Sequence, residues 1–402
     1  MEKYINFLEN QRYKIIIFTT ILVVLLSISL KDLAFEGSYR IWFDKESVII
    51  KNYDNFRNTF SGDDTFVVAF SDENGIFTKK AIETILDLTT AFKQLEGVQK
   101  VESLTNYQYI QSVDDDIVIE DFIQNTHDLE QKKQLALQDN LILHQLISND
   151  GKTTMLAVRL STLSGANENL NIKIMQQLQY ITKQYQLKNG YNFYISGAPA
   201  ITASLVNVAQ KDALMLLPLA VFGVVVLLFL FFRNWIGVLI PSVVIVFTFL
   251  LTLSIQIFLG HKLNNFTVNI PAFISAIGLA DSIHLFLAWV YYKNKNLTNK
   301  EAVYQALNTN MIPISLTSFT TAIGFLTLGL SEIEPVATLG IAITSGAIIA
   351  FVLSVTLAPA ILLLLDDGYK VKPIQFFNLT NTKGYGAFIV KHDLKIVVAF
   401  GV

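Results

Sequence analysis

The chain contains no cysteine. That absence excludes disulfide scaffolds, thiolate metal sites and cysteine nucleophiles, and it is compatible with either side of a membrane. Charge is scarce too: Asp, Glu, Lys and Arg make up 16% of the 402 residues, against 52% apolar. No cluster of Lys and Arg forms a patch or tail suited to nucleic acid. The five histidines, His127, His144, His261, His284 and His392, show no metal-ligand spacing. No Ser, His and Asp arrangement carries a hydrolase signature. The stretch Asp150-Gly-Lys-Thr-Thr154 has the tail of a phosphate-binding loop, but no glycine stands five residues before Gly151. Enzyme chemistry, a bound cofactor and a resident metal are therefore not expected.

What the sequence has in abundance is long apolar runs. Spanning a hydrocarbon layer of about 30 Å takes roughly 20 apolar residues in a helix. Six runs meet that length, at residues 14–30, 213–232, 235–259, 267–292, 311–330 and 336–365. A cleaved signal peptide is the alternative for the first, but the run is long for one and LKDLAFEG after it lacks a small-x-small cleavage site. Short-loop lysines and arginines alternate from side to side as a serpentine requires. Lys3, Arg12 and Lys14 precede the first run, Arg233 follows the second, and Lys293, Lys295 and Lys300 follow the fourth. Lys370, Lys372, Lys383 and Lys391 follow the sixth, while the opposite loops hold only Lys262 as a base. The bilayer is thus the first partner, with both ends of the six-span unit cytoplasmic.

The expected organisation is a cytoplasmic N-terminus and first span (1–30), an extracytoplasmic domain (31–212), five clustered spans (213–365) and a cytoplasmic linker (366–392). Residues 393–402 turn apolar again and read as the start of a seventh span, so either the protein ends in a stub or, the favoured expectation, the chain is the front half of a longer one. The 31–212 segment holds 24 of the 33 acidic and 17 of the 30 basic residues, which makes it soluble and mildly acidic. Within it, the patterning predicts strands at 66–70, 98–103, 154–160 and 192–196 and helices at 78–95, 126–147 and 167–187. That alternation suggests ferredoxin-like α+β units. Residues 108–121, with Asp114, Asp115 and Asp116, read as a solvated loop; a calcium site there is weighed and set aside.

A single carboxylate lies inside the six runs, Asp281, near the middle of the fourth. Burying it at mid-membrane costs roughly 2.5–3.5 kcal/mol on insertion scales, so something must offset the cost. His284 follows at helical spacing and an imidazole changes charge near neutral pH. The functional reading is a proton relay of Asp281 and His284; the structural alternative makes these residues and Ser282 hydrogen-bonding glue between helices. The fifth run offers Ser315, Thr317, Ser318, Thr320 and Thr321 to face and hydrate Asp281, of which Thr317, Ser318 and Thr321, with Ser282, are the candidate supports. Gly278, Gly324, Gly340 and Gly346 read as close helix contacts. Pro271 and Pro313 fall near expected helix starts, whereas Pro218, Pro241 and Pro359 lie deeper, where a kink is expected.

Together these features resemble the RND superfamily of proton-driven exporters, in its MMPL, hopanoid-exporter and Patched-like branch. Three motifs carry the likeness. Gly278-Leu-Ala-Asp-Ser-Ile-His284 is similar to the fourth-helix motif with its relay aspartate, with Asp-Ser-x-His in place of the commoner Asp-Tyr. Leu316-Thr-Ser-Phe-Thr-Thr-Ala-Ile-Gly-Phe-Leu-Thr-Leu328 is similar to the fifth helix. Ser331-Glu-Ile-Glu-Pro335, Gly340 and Leu357-Ala-Pro-Ala360 are similar to the sixth. The resemblance implies an RND or sterol-sensing-domain-like six-helix half of a multi-pass α-helical membrane protein, carrying an α+β ferredoxin-like extracytoplasmic porter domain. It implies export of lipids or other hydrophobic compounds by proton antiport. The family's transporters pair two such halves, so a C-terminal half, a second copy or a homo-oligomer is the implied partner. Two alternatives stand beside this reading: a lipid- or sterol-sensing module that does not transport, and an inactive half-transporter fragment. A protein-translocation accessory like SecD or SecF ranks last, because the fourth span lacks their Asp-Ala-Asn pattern. Richness in Ile, Lys and Asn points to an A/T-rich bacterial genome, which would place the protein in the inner membrane with its large domain in the periplasm.

Overall fold

The computed structural model describes residues 1–44, 47–60, 64–113, 116–161, 168–369, 379–393 and 395. Six described helices are long and apolar enough to cross a membrane. The first is α1 (Glu2–Ser27), closed by a 3-10 turn at Ile28–Asp32. A short helix α2 (Val48–Phe60) opens the soluble part. Then follow β1 (Thr65–Ser71), α3 (Lys79–Lys93), β2 (Val98–Glu102), β3 (Gln108–Val113), β4 (Asp116–Asp121), α4 (Leu129–Gln138), β5 (Thr153–Leu160), α5 (Glu168–Asn189) and β6 (Phe193–Ser196).

β1, β2, β5 and β6 form one antiparallel sheet in the order β2-β5-β1-β6. Alternation builds its inner face: Phe66, Val68 and Phe70 on β1 and Leu156, Val158 and Leu160 on β5 are buried. That face is covered by Ile82, Ile85, Leu88 and Phe92 of α3 and Ile174 and Leu178 of α5, each series repeating at three or four residues. Thr78 caps α3, its hydroxyl accepting from the Ala81 amide at 3.3 Å. Beside the sheet, β3 and β4 pair as a hairpin from Gln108↔Asp121 to Val113↔Asp116. This corrects the solvated loop expected at 108–121. Its outward residues Ile110, Ile117 and Ile119 are exposed, while Tyr109, Gln111, Val118 and Glu120 on the other face are half-buried, so the apolar pattern does not mark the covered face. Asp114 and Asp115 lie outside the described residues. The helix expected at 126–147 shrinks to α4, because Asp139 ends it in extended backbone. The α2 helix was not anticipated.

Membrane helices follow without a linker. Gly197, at φ 107°, turns β6 directly into α6 (Ala198–Phe232), 35 residues long. A Cβ there would lie 2.1 Å from the Thr65 carbonyl oxygen, so only glycine fits. α6 therefore begins fifteen residues before its expected apolar run. Next come α7 (Trp235–Phe258), α8 (Ile270–Lys293), α9 (Asn299–Leu328), α10 (Glu334–Val355) and α11 (Leu357–Leu362). A last helix, α12 (Leu379–Lys391), falls in the expected cytoplasmic linker. The expected seventh span, 393–402, lies almost wholly outside the described residues.

One proline departs from expectation, and another, expected to kink its span, interrupts it. Pro313 is interior, not near a start, since α9 extends back to Asn299 behind a capping box of Thr298 and Glu301. Pro359 breaks the sixth span into α10 and α11. Lacking an N–H, it frees the Val355 carbonyl four residues back. The Tyr4 hydroxyl of α1 donates to that carbonyl at 2.9 Å, which ties the first helix to the sixth. At the same end, buried Asn299 accepts from the Trp289 indole at 2.9 Å and donates to the Leu362 and Leu365 carbonyls at 2.8 Å each. One amide thus joins α8, α9 and the end of α11.

Candidate functional site

Asp281 is the twelfth of the 24 residues of α8, and 3% of it is exposed. Its side chain points at α9, where the Ser318 hydroxyl donates to Oδ2 at 2.8 Å. Gly278, one turn earlier, lets α7 and α10 close in: a Cβ there would sit 3.4 Å from Ile245 Cγ1 and 4.0 Å from Ala350 Cβ. The carboxylate is therefore buried between α8 and its neighbours, with one hydroxyl donor and no ion-pair partner among the described residues.

Of the hydroxyls the sequence nominated, only Ser318 bonds Asp281. Ser282 donates to the Gly278 carbonyl of its own helix. Thr317 is exposed and donates back to Pro313 and Ile314 at 3.1 and 2.9 Å, Thr320 donates to Leu316 at 2.8 Å, and Ser315 to Met311 at 2.5 Å. Thr321 is half-buried and makes no hydrogen bond to Asp281. The helix-packing glycines divide as well. Gly340 is locked against α9, where a Cβ would meet Gly329 N at 2.6 Å and Phe325 O at 2.7 Å. A Cβ on Gly324 would meet nothing within 4 Å among the described residues.

His284 lies one turn beyond Asp281 but is exposed, with no hydrogen bond to the carboxylate. It continues an exposed column of Ala272, Ala276 and Ala280 on α8. Neighbouring α9 exposes Thr317, Thr320, Gly324 and Thr327. Beside this small and polar column α9 also exposes Leu316, Phe319, Ile323 and Leu326, and α6 exposes Leu214, Met215, Leu219 and Phe222. The large apolar side chains suit lipid tails; the small column suits the close approach of another helix.

A set of buried polar residues on α7 escaped the sequence reading. Thr248, Thr252 and Gln256 repeat every four residues and are buried to 0%, 0% and 2% exposure. The detectable signal is a polar residue at each turn of an otherwise apolar span.

A model of the MMPL family matches residues 44–373. The protein MJ1562 of Methanocaldococcus jannaschii is 20% identical over 372 residues, covering 90% of this chain and 93% of that protein. The siderophore exporter MmpL5 of Mycobacterium tuberculosis is 24% identical over 258 residues, covering 62% of this chain and 26% of its own length. The hopanoid transporter HpnN of Rhodopseudomonas palustris is 26% identical over 148 residues, covering 37% of this chain and 17% of its own. The matched region spans nearly all of the archaeal relative and about a quarter or less of the other two.

Proposed function

The chain belongs to the MMPL family, and on that premise we propose that it is a six-helix unit of an RND-type exporter for lipids or other hydrophobic compounds, driven by the proton-motive force through Asp281. The observation that carries the reading is the Asp281 carboxylate, buried at the middle of α8 with Ser318 on α9 as its hydrogen-bonding partner. An intramembrane carboxylate held by a neutral hydroxyl can exist with or without its proton. Charged, it draws the hydroxyl strongly; neutral, it draws it less. Loading and unloading the proton therefore biases how α8 sits against α9.

The remaining parts are assigned by the same reasoning. The antiparallel order β2-β5-β1-β6, with helices α3 and α5 in the crossovers, supports a ferredoxin-like porter domain within 31–212. The alternation of basic loops supports placing it outside the cytoplasm, in a periplasm if the cell has one. Exposed His284 on a small-residue face supports a second six-helix unit, either a C-terminal half or a second copy, packed on α8 and α9. There His284 would have polar neighbours and serve as the relay's second member. Thr317 and Thr321 would line that contact instead of hydrating Asp281 directly.

The test is proton flux into liposomes holding the purified chain under an imposed pH gradient, with a hydrophobic test cargo. Cargo-stimulated flux in the wild type and none in Asp281→Asn is the expected result. Flux that persists in Asp281→Asn sinks the relay. No flux from either protein, with cargo still bound, favours a lipid-sensing module.

A further inference from the structure

Gln256 is the third residue from the end of α7, on the side where the following loop meets the soluble part of the chain. There Leu263 donates to Ala34 at 2.8 Å and Glu36 donates to Leu263 at 2.7 Å. Although 2% exposed, Gln256 finds no hydrogen-bond partner among the described residues for either its amide nitrogen or its amide oxygen. One turn deeper, the buried Thr252 hydroxyl is also unbonded, and so, further in, is that of Ser354 on α10, at 0% exposure. Polar atoms sealed in a membrane interior without partners are costly, and in proteins such groups are bridged by ordered water.

These groups lie along one seam. A Cβ on Gly346 of α10 would sit 3.2 Å from Thr252 Oγ1 and 3.0 Å from Ile274 Cδ1 of α8, so Thr252 looks into the junction of α7, α8 and α10. Deeper in that junction, Gly278 faces Ile245 and Ala350. One turn below Gly278 and Ala350 come Ser282 and Ser354, both fully buried. Ser282, whose hydroxyl donates to the Gly278 carbonyl, is next in sequence to Asp281, whose carboxylate faces α9, so the seam meets the carboxylate's helix one residue away. At about 1.5 Å per residue, the seam runs roughly 16 Å from Gln256 to Ile245, and Asp281 lies about 5 Å beyond Gly278. Gln256, Thr252 and Thr248 follow one another about 6 Å apart along the axis; the Thr248 hydroxyl donates to the Val244 carbonyl at 2.7 Å and so offers water only its acceptor side. One water with two hydrogen bonds of about 2.8 Å spans that interval.

We propose that Gln256, Thr252, Thr248, Ser354 and Ser282 hold a file of water between α7, α8 and α10, through which protons from the soluble-domain side reach Asp281. The purpose of the file rests on the relay reading above, but its existence does not. Thr252 and Gln256 are positioning residues for water, and Asp281 remains the proton carrier.

Because the chain has no cysteine, a single introduced thiol reports local water directly. Thr252→Cys is compared with Leu251→Cys, a position at the same depth that is buried in the apolar core. Silver ion is added on the soluble-domain side of reconstituted protein, and the remaining thiol is counted with a maleimide after denaturation. Blocking at least tenfold faster at position 252 is expected; equal rates overturn the proposal. In the flux assay, the double substitution Gln256→Leu with Thr252→Val is expected to lower flux at least tenfold, and Gln256→Asn with Thr252→Ser to restore most of it. Unchanged flux in the apolar double variant overturns the route. If silver reaches Thr252→Cys while flux survives Asp281→Asn, the water file stands and the relay reading falls; silver excluded with flux lost in Asp281→Asn has the opposite meaning.

Discussion

Three of the four glycines expected to pack helices occupy three different environments, which makes Gly→Ala a graded test of the helix arrangement. At Gly340 the added methyl would lie 2.6 Å from Gly329 N, 2.7 Å from Phe325 O and 2.8 Å from Leu328 Cβ. Comfortable contacts between heavy atoms begin near 3.5 Å, so three neighbours must retreat by about 0.7–0.9 Å. Two of them are backbone atoms of α9, which cannot rotate away. Overpacking of this kind costs about 1–3 kcal/mol, and here the upper end applies; the better helix propensity of alanine returns about 1 kcal/mol. A net loss of about 2 kcal/mol corresponds to roughly 5 °C in melting temperature. At Gly278 the nearest atom, Ile245 Cγ1, is 3.4 Å away, and the two effects nearly cancel. At Gly324 nothing lies within 4 Å, so alanine leaves the melting temperature of the unit unchanged or raises it. The assay is thermal loss of the monodisperse peak of detergent-purified protein on size exclusion. Gly340→Ala melting with the wild type while Gly324→Ala falls would refute the α9 and α10 contact. A fall in self-association in Gly324→Ala, with melting unchanged, is the expected sign of a second unit packed on α9.

Two further outcomes follow from single hydrogen-bonding groups. Asn299→Ala leaves the Trp289 indole and the Leu362 and Leu365 carbonyls without their bonds; at about 1–3 kcal/mol for an unsatisfied buried group, a destabilisation of at least ~2 kcal/mol is expected in the same melting assay. In the soluble part, burial above all, and then the bond from Tyr191 to Asp72 at 2.6 Å, holds the Tyr191 phenol above its ordinary pKa. A raised acid keeps its proton longer when folded than when unfolded, so its contribution is complete below the ordinary phenol value near 10 and is lost as pH rises above it. Wild-type melting temperature is therefore expected to fall between about pH 9.5 and 11 more steeply than that of Tyr191→Phe; parallel curves would remove this cause.

The spans were legible because mid-membrane residues obey one rule of length and hydropathy, with little tertiary context to override it. Asp281 was legible for the same reason: a lone carboxylate stands out against an apolar run. What the sequence hid was whatever depends on neighbours. QYIQSV and DIVIED alternate too weakly to declare a hairpin whose apolar residues stay exposed. The start of α9 was hidden because residues 299–310 are polar enough to look like a loop, although Thr298 and Glu301 form a capping box. Asp281 and His284 share a helical spacing, yet three residues rotate a side chain by about 60° from its predecessor, enough to bury one and expose the other. Thr252 and Gln256 each look like ordinary polar residues in a membrane helix; only their unpaired atoms, seen together with that of Ser354 on α10, give them meaning.

If proton loading at Asp281 changes how α8 sits, the neighbours must divide into those that move with it and those that do not. α9 and α10 are interlocked by the Gly340 contact, backbone to backbone, so they are expected to move as one body. α8 meets α10 through side-chain contacts at Gly278 and Gly346, and meets α9 through side-chain hydrogen bonds at Asp281, Trp289 and Tyr292. The seam between α8 and α10 is therefore where relative motion belongs. A Cβ on Gly278 would sit 4.0 Å from Ala350 Cβ, inside the separation of about 3.5–4.5 Å that a disulfide needs. In this cysteine-free chain, Gly278→Cys with Ala350→Cys can close one cross-link across that seam. Oxidised protein is expected to bind cargo but lose proton-coupled export, and reductant is expected to restore it. Each single variant controls for the substitutions themselves. Cross-linked protein that exports at the reduced rate constant would mean that α8 and α10 act as a rigid pair, and the proton would have to be coupled through some other interface.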